Sequence, residues 1–386
     1  MPILLTFSFC RMHEVIFLKQ TIKGRPDFLL LFVTLLLVMF GLAMIYSASS
    51  AVVSFKYEKP SYYMSKQMLF ALIGLVAMFV FMNIPFRKWS KAAPFLLLFS
   101  IVLLVLVPYF GIKVNGATRW FNVGGMRFQP TEFAKLALII YLSHLISKKG
   151  DRIRIFARGL LPILVVIGVM LVLIMLQPDF GSVMIITIIS MTIIIIGGAN
   201  IRHIAILSGG FGVLLVFLAF SRSYRYQRIM SFLNPFDDPE GAGYQLIQSL
   251  IALAHGGMTG TGYGQSVQKL FYLPEAHTDF IFAIIGEEFG FLGGLLLLLC
   301  FFLFFWRGLM AALRSDEPFG IMLGTGIITM IFAQFAFNLG AVTGAMPIKG
   351  VPLPFISYGG SSLLLCMAST GILLNISRDN DRRQRE

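Results

Sequence analysis

The 386-residue sequence is poor in charge: only 13% of its residues are Asp, Glu, Lys or Arg, whereas 57% are hydrophobic. Soluble domains carry about 25% charged residues. A chain this long cannot cover its apolar residues with so few polar ones, so the composition predicts a membrane protein. Cysteine is also scarce. Cys10, Cys300 and Cys366 precede or lie within apolar runs, and none falls in a predicted outer loop, which predicts no disulfide.

Several motifs of known chemistry are missing from the sequence. It has no Walker loop for ATP, no His and Cys cluster at zinc spacing, and no recognisable Ser, His and Asp order. No cofactor is therefore indicated, and a divalent cation, Mg²⁺ or Mn²⁺, held by carboxylates and substrate phosphates is left open. The first apolar run, from 28 to about 47, is too long for a cleavable signal and predicts a retained span.

Ten apolar stretches are long enough to cross a bilayer, which takes about 20 residues. They lie at 28–48, 66–84, 92–110, 131–147, 159–176, 180–197, 203–221, 279–306, 318–340 and 358–376. The sequence therefore predicts an all-α polytopic membrane domain over 28–376. A segment at 1–27 precedes this domain, and a basic tail at 377–386 follows it.

The net charge of +13 predicts orientation rather than nucleic-acid binding, because the basic residues cluster in short connections. Of the 31 Lys and Arg residues, 19 lie at the termini and in the connections on the same side. This bias predicts cytoplasmic termini and outward loops at 49–65, 111–130, 222–278 and 341–357. The long loop 222–278 contains an amphipathic helical pattern near 244–254, suited to the membrane interface or to packing on the bundle.

Ionisable side chains follow that long loop, where the chain re-enters the apolar region. His277, a candidate substrate contact, and Asp279 come first, and Glu287 and Glu288 lie about two turns deeper. Carboxylates at this depth normally face a partner or a wet cavity, so we expect a polar chamber open to the outer side. Asp279, with apolar neighbours, is our candidate general base. The alternative is that Asp279 only caps a helix.

Basic side chains supply the candidate substrate contacts. Lys135 lies three residues after Glu132, so both share one helix face; they form either a substrate-binding pair or an ion pair that permits burial. Arg119 has donors that match phosphate oxygens, yet it also fits an interfacial anchor beside a tryptophan. Lys349, in a proline- and glycine-rich segment, is either a cavity cation or a loop lysine without a role.

A further stripe of basic residues, Arg222, Arg225 and Arg228, recurs at helical spacing before the long loop's amphipathic part. Arg222 and Arg225 are candidates for docking a pyrophosphate-linked lipid. The alternative is that these side chains reach lipid headgroups at the end of a span.

Short blocks along the chain resemble the SEDS family (shape, elongation, division and sporulation), and the FtsW-like branch most of all. The blocks lie at 119–122, 129–135, 177–181, 234–236, 243–249, 274–283 and 354–362. The resemblance implies ten spans in the bacterial cytoplasmic membrane and a peptidoglycan glycosyltransferase that polymerises lipid II on the outer face. It also implies a class B penicillin-binding protein as partner, with other membrane proteins of division or elongation.

The family's essential aspartate corresponds to Asp279, and its conserved Glu and Lys correspond to Glu132 and Lys135. The hypothesis is that Asp279 deprotonates a sugar hydroxyl while Arg119, Lys135 and Lys349 stabilise the pyrophosphate, and that the protein acts in cell division. Two alternatives stay open at this point. The chain is either a lipid II flippase or a non-catalytic scaffold for the penicillin-binding protein.

Overall fold

The computed structural model describes residues 24–57, 60–114, 116–220 and 223–385, and most of them are helical. The helices of the described residues are α1 (Phe28–Tyr57), α2 (Tyr62–Asn83), α3 (Phe86–Phe110), α4 (Pro130–Lys149), α5 (Leu161–Met175), α6 (Phe180–Ile196), α7 (Ile201–Phe220), α8 (Ser223–Leu233), α9 (Tyr244–Gly256), α10 (Ile281–Leu313), α11 (Pro318–Val342) and α12 (Gly360–Arg385). Each of the ten predicted spans overlaps one of these helices.

Seven helices of the described residues are long and apolar enough to cross a membrane. They comprise α1 (as Phe28–Ser50), α2, α3, the stretch Phe156–Met175 that ends with α5, α10, α11 and α12 (as Gly360–Gln384). Two shorter apolar helices, Phe180–Ile196 and Ile201–Val213, accompany them. These helices fit a multi-pass membrane protein. The count of ten spans and the side on which the termini lie stay predictions.

The centre of the bundle is formed by α4, α6, α11 and α12. In α11 and α12, 72% and 78% of the apolar stretch is buried, against 22% in α2 and 28% in α3, which expose one side. Helix α4 carries charged residues, Glu132 among them, and is nevertheless buried along most of its length. A helix surrounded by protein can hold paired polar groups, whereas one that faces lipid cannot.

Helix α10 is broken at Gly290, whose φ of 66° and ψ of −165° are not helical. The break is filled by the glycine-rich segment 257–262, and four backbone hydrogen bonds join the two: Thr261 N to Glu287 O (3.0 Å), Gly262 N to Glu288 O (3.0 Å), Phe291 N to Gly257 O (2.9 Å) and Leu292 N to Met258 O (3.1 Å). Non-helical backbone is tolerated within a membrane bundle when protein supplies its hydrogen bonds in this way.

The amphipathic pattern near 244–254 forms α9, as predicted. Its buried face is formed by Leu246, Ser249, Ala252 and Gly256, and Ser249 Oγ donates to the carbonyl oxygen of Val342 at 2.8 Å. Ile251, on the apolar face, is 44% exposed. The exposed apolar face therefore suits the membrane interface, which is one of the two arrangements that the pattern allows.

Two regions differ from the sequence-based expectation. The connection predicted as a polar loop at 111–130 forms a three-stranded antiparallel sheet of β1 (Ile112–Val114), β2 (Ala117–Val123) and β3 (Met126–Phe128). The last helix, α12, continues to Arg385, so the basic tail prolongs the span as one helix. The tail's Arg383 pairs with Asp316 at 3.0 Å, and such pairs extend the helix beyond its apolar part.

Candidate functional site

Asp279 lies just before α10, whose N-cap residue is Phe280, and Phe280 makes no side-chain capping hydrogen bond. The carboxylate is partly exposed and faces the segment after α11: a methyl group built on Gly350 would be 3.4 Å from Asp279 Oδ2. Gly350 has a φ of +66°. That backbone conformation favours glycine, and the Asp279 carboxylate lies within van der Waals reach of this position.

Asn338 of α11 connects Asp279 to this same segment. Its Nδ2 donates to the carbonyl oxygen of Asp279 at 2.7 Å and to that of Val351 at 2.9 Å. The Asn338 side chain is almost completely buried. Because both hydrogen bonds come from one amide group, they fix the distance between the backbone of Asp279 and that of Val351, two residues after Lys349. Asn338 is not identifiable from the sequence, since an isolated amide in an apolar span gives no local signal of its partners.

Further hydrogen bonds attach the Asp279 loop to the start of α12. Tyr358 N donates to the carbonyl oxygen of His277 at 2.9 Å, and Ser357 Oγ donates to that of Thr278 at 2.6 Å. The His277 ring stacks on Tyr63 with 4.5 Å between ring centroids. Burial lowers the pKa of His277, and the negative charge of Glu275 raises it by a smaller amount. The net pKa is lowered, so the imidazole is neutral near pH 7. His277 is thus a neutral hydrogen-bonding group two residues before Asp279.

Lys349 lies next to Gly350, and its ammonium group stands 3.9 Å from the centre of the Phe337 ring. Burial lowers the pKa of Lys349 to about 8, which still leaves it mostly protonated at pH 7. Among the described residues, no carboxylate oxygen lies within 4.0 Å of its Nζ. A half-buried cation that is held against an aromatic face and has no counter-ion among the described residues is suited to bind an anion.

Glu132 and Lys135 form a buried ion pair, with 2.7 Å between Lys135 Nζ and Glu132 Oε1. The two residues are 5% and 1% exposed. Gln334 of α11 reaches Glu132 Oε2 at 3.5 Å. Because Gln334 precedes Asn338 by four residues, the pair lies about 6 Å, one helical turn, deeper than the Asp279 contact. The pair is therefore close to the Asp279 region, but Lys135 contacts protein rather than an open surface.

Arg119, on β2, forms two hydrogen bonds with the turn between α5 and α6. Its Nε donates to the carbonyl oxygen of Gln177 at 3.0 Å, and its Nη2 donates to that of Pro178. Asp179 caps α6, accepting from Ser182 N at 3.1 Å. These contacts give Arg119 a visible structural role. A role in binding phosphate stays a prediction.

Two predicted residues cannot be located at the site. Arg222 lies outside the described residues. Arg225 belongs to α8, in agreement with the helical spacing of the basic stripe, but the description does not extend to its side chain.

Glu287 and Glu288 do not line the expected chamber; both are buried against partners from the preceding loop. Glu287 Oε1 accepts from Val267 N at 3.0 Å and contacts His255 Nδ1 at 2.9 Å. Glu288 Oε1 accepts from Lys269 Nζ at 2.8 Å and from Ser47 Oγ of α1 at 2.6 Å. Both carboxylates thus have protein partners, as buried carboxylates require. These contacts attach the loop that carries Asp279 to α1 and α10.

No group of three or more His, Cys, Asp or Glu side chains in the described part of the chain is arranged to hold a metal ion. The protein residues near Asp279 thus do not form a complete cation site. A divalent cation bound there would take its other ligands from substrate oxygens and water, and its presence stays a prediction.

The family model of the cell cycle proteins FtsW, RodA and SpoVE matches residues 27–382. Stage V sporulation protein E of Bacillus subtilis is 45% identical over 93% of this chain and 98% of its own length. The probable peptidoglycan glycosyltransferase FtsW of Trichlorobacter lovleyi is 44% identical over 91% of this chain and 93% of its own length.

Solved structures show the same fold. A chain from a peptidoglycan synthase complex that coordinates polymerization and crosslinking has a TM-score of 0.75 and 28% identity, and the match covers 92% of this chain and 98% of that one. The rod shape determining protein RodA of Thermus thermophilus has a TM-score of 0.69 and 27% identity, with 92% and 97% covered. The resemblance to the SEDS family is thus confirmed: this chain belongs to the FtsW, RodA and SpoVE family of cell cycle proteins.

Proposed function

We propose that this chain is a peptidoglycan glycosyltransferase of the bacterial cytoplasmic membrane, which polymerises lipid II on the outer face during cell division. The observation that carries the proposal is the partly exposed Asp279 carboxylate beside Gly350, the residue that follows Lys349 in the chain. This transfer needs a base and a cation, and the adjoining backbone carries Asp279 and Lys349, which has no counter-ion among the described residues. The names of the FtsW relatives support the same reaction class.

In this reaction a sugar hydroxyl attacks the anomeric carbon of a second lipid II. The new glycosidic C–O bond forms, the bond to the pyrophosphate breaks, and the hydroxyl proton passes to Asp279. A positioned base of this kind contributes about 10²–10⁴-fold to the rate. Since one carboxylate suffices for a direct displacement, the anomeric configuration is expected to invert. The substrate pyrophosphate supplies the energy, which agrees with a sequence that lacks an ATP motif.

The leaving pyrophosphate gathers negative charge, and a preoriented cation stabilises that charge. Lys349 is our first candidate for this contact because it has no carboxylate partner in the part of the chain that is described. Lys135 is the second, with Glu132 orienting it, although its burial means that the substrate must reach it through a local opening. Arg119 and His277 contribute by holding the turn and the loop that flank Asp279.

The proposed partner is a class B penicillin-binding protein, which would cross-link the strands that this chain makes. Support comes from the solved relative, whose complex coordinates polymerization and crosslinking. The similarity covers 92% of this chain, so most of the fold found in that complex is present here.

The test is a polymerisation assay on the purified protein with its partner and fluorescent lipid II, run with penicillin to block cross-linking. Wild type is expected to form glycan chains, and Asp279→Asn is expected to lose at least 10²-fold in rate, because the amide cannot accept the proton. Glu240→Gln, an exposed acid in the same long loop, is the matched control and keeps its activity.

Three outcomes separate the candidate functions. Chains that vanish in Asp279→Asn and persist in the control support the transferase. Movement of the lipid headgroup across vesicles without chain formation indicates a flippase. Chain formation by the partner alone, unchanged by Asp279→Asn, indicates a scaffold and rejects the proposal.

A further inference from the structure

A groove of about 420 Å³ lies at the opposite end of the bundle from Asp279, between the start of α1, the end of α10 and the extended part of α12. Its volume is within the range of small-ligand sites, about 300–1,000 Å³. The groove is on the side predicted to be cytoplasmic. None of the residues placed near the candidate active site lines it.

The walls of the groove are held by an internal ion pair. Arg307 of α10 contacts Asp27 at the start of α1, with 2.7 Å from Nη2 to Oδ2 and 2.9 Å from Nε to the same oxygen. Asp27 N in turn donates to Ser377 Oγ of α12 at 3.0 Å. These contacts join the start of α1, the end of α10 and α12, and they fix the positions of the helices that line the groove.

The acidic side chains of the groove have partners, whereas two of its basic side chains have none among the described residues. Its acids are engaged: Asp27 pairs with Arg307, and Asp381 Oδ2 accepts from the backbone N–H of Arg25 at 2.7 Å. Two guanidinium groups at the groove, those of Arg25 and Arg314, are exposed and have no side-chain partner among residues 24–57, 60–114, 116–220 and 223–385. The unsatisfied charge is therefore positive, which favours an anion.

The surface beside the groove is apolar and exposed. Phe28 and Leu29, which line it, are 63% and 40% exposed, and Leu313 and Trp306 of α10 are 53% and 47% exposed. In a membrane-spanning bundle, a face of this kind contacts acyl chains, and tryptophan marks the headgroup level. The ligand that fits both features carries a phosphate and a hydrocarbon tail.

We propose that this groove binds the headgroup of an anionic glycerophospholipid of the cytoplasmic leaflet, with Arg25 and Arg314 contacting its phosphate. The ligand is a phosphate diester with a net negative charge, and its acyl chains lie along Phe28 and Leu29. Arg307 does not bind the lipid, because its guanidinium pairs with Asp27 and joins α10 to the start of α1. Anionic lipids are concentrated in cytoplasmic leaflets, and they attract basic residues next to membrane spans. This binding is independent of the proposed glycosyl transfer.

The test is native mass spectrometry of the full chain in neutral detergent, titrated with dioleoyl phosphatidylglycerol or with the corresponding phosphatidylcholine. Wild type is expected to bind one phosphatidylglycerol in preference to phosphatidylcholine. The variant Arg25→Gln/Arg314→Gln is expected to bind it about 30-fold more weakly, since each basic residue contributes about a factor of five. Neither side chain makes a described contact, so the fold is preserved, as an unchanged melting temperature will verify.

The matched control is Arg152→Gln/Arg202→Gln, which removes two exposed arginines from connections on the same predicted side but away from the groove. It is expected to bind phosphatidylglycerol as wild type does. Equal losses in both double variants mean non-specific attraction and overturn the proposal. Displacement of the lipid by millimolar inorganic phosphate means a site for free anions, which also overturns it.

Discussion

The buried pair of Glu132 and Lys135 allows a quantitative test of what holds the centre of the bundle. Lys135→Met removes the only ammonium within 4.0 Å of Glu132 in the described residues and leaves a carboxylate that is 5% exposed. Gln334, at 3.5 Å, is then its remaining polar contact. Removing one partner of a buried pair costs about 3–5 kcal/mol because the other charge is left uncompensated.

The double variant Glu132→Gln/Lys135→Met removes both charges and keeps the side-chain volumes. Neutral replacement of a buried pair is often harmless or stabilising. We therefore expect the melting temperature in detergent to fall in Lys135→Met and to recover in the double variant. The control is Arg154→Gln, which disrupts an exposed pair with the same spacing, 4.0 Å from Asp151; it should cost at most about 1 kcal/mol.

The double variant also separates the two interpretations of Lys135. If the pair only permits burial, polymerisation recovers together with stability. If Lys135 contacts the substrate pyrophosphate, the double variant is stable and inactive. A Lys135→Met protein as stable as wild type would refute the reasoning, because it would mean that the Glu132 carboxylate is hydrated rather than buried against Lys135.

Three further results are expected. Asn338→Ala should lower kcat about 10²-fold, since a displacement of the base by about 1 Å has that effect; full activity would show that Asn338 does not position Asp279. In a pH series, kcat/KM should fall as Lys349 loses its proton above its pKa of about 8, and Lys349→Arg should move that fall to higher pH; an unchanged profile would exclude a charged role. Gly290→Ala should lower the melting temperature, because Gly290 has a φ of 66° and an added Cβ would lie 2.3 Å from Gly260 N. The control Gly168→Ala should be neutral or stabilising, because a Cβ at Gly168 meets no atom within 4 Å.

Much of the helical framework follows from local composition. Each predicted span overlaps a helix because a run of apolar residues near 20 long satisfies its own backbone hydrogen bonds and suits the lipid. The ends are less predictable. Helix α10 begins at Ile281 and not at 279, because the carbonyl oxygen of Asp279 accepts a hydrogen bond from Asn338 of another helix. The residues near Asp279 in the sequence do not indicate that contact.

The candidate site was predictable in part. Asp279 and Lys349 are unusual in their local sequence, and the structure brings Gly350, beside Lys349, to the Asp279 carboxylate. Arg119 looked equally suited to phosphate, but its donors meet the carbonyl oxygens of Gln177 and Pro178. These carbonyls lie 58 and 59 positions away, and only the fold determines that they are near.

The sequence alone determined that this protein is a helical multi-pass membrane protein, because hydropathy and charge act within each span. The tertiary structure decided how the buried charges are paired. Lys269 meets Glu288 and Ser47 of a distant helix, and Asn338 bridges two loops. The reason is that a charge or amide in an apolar interior must find a partner, while the identity of that partner depends on which helices pack side by side.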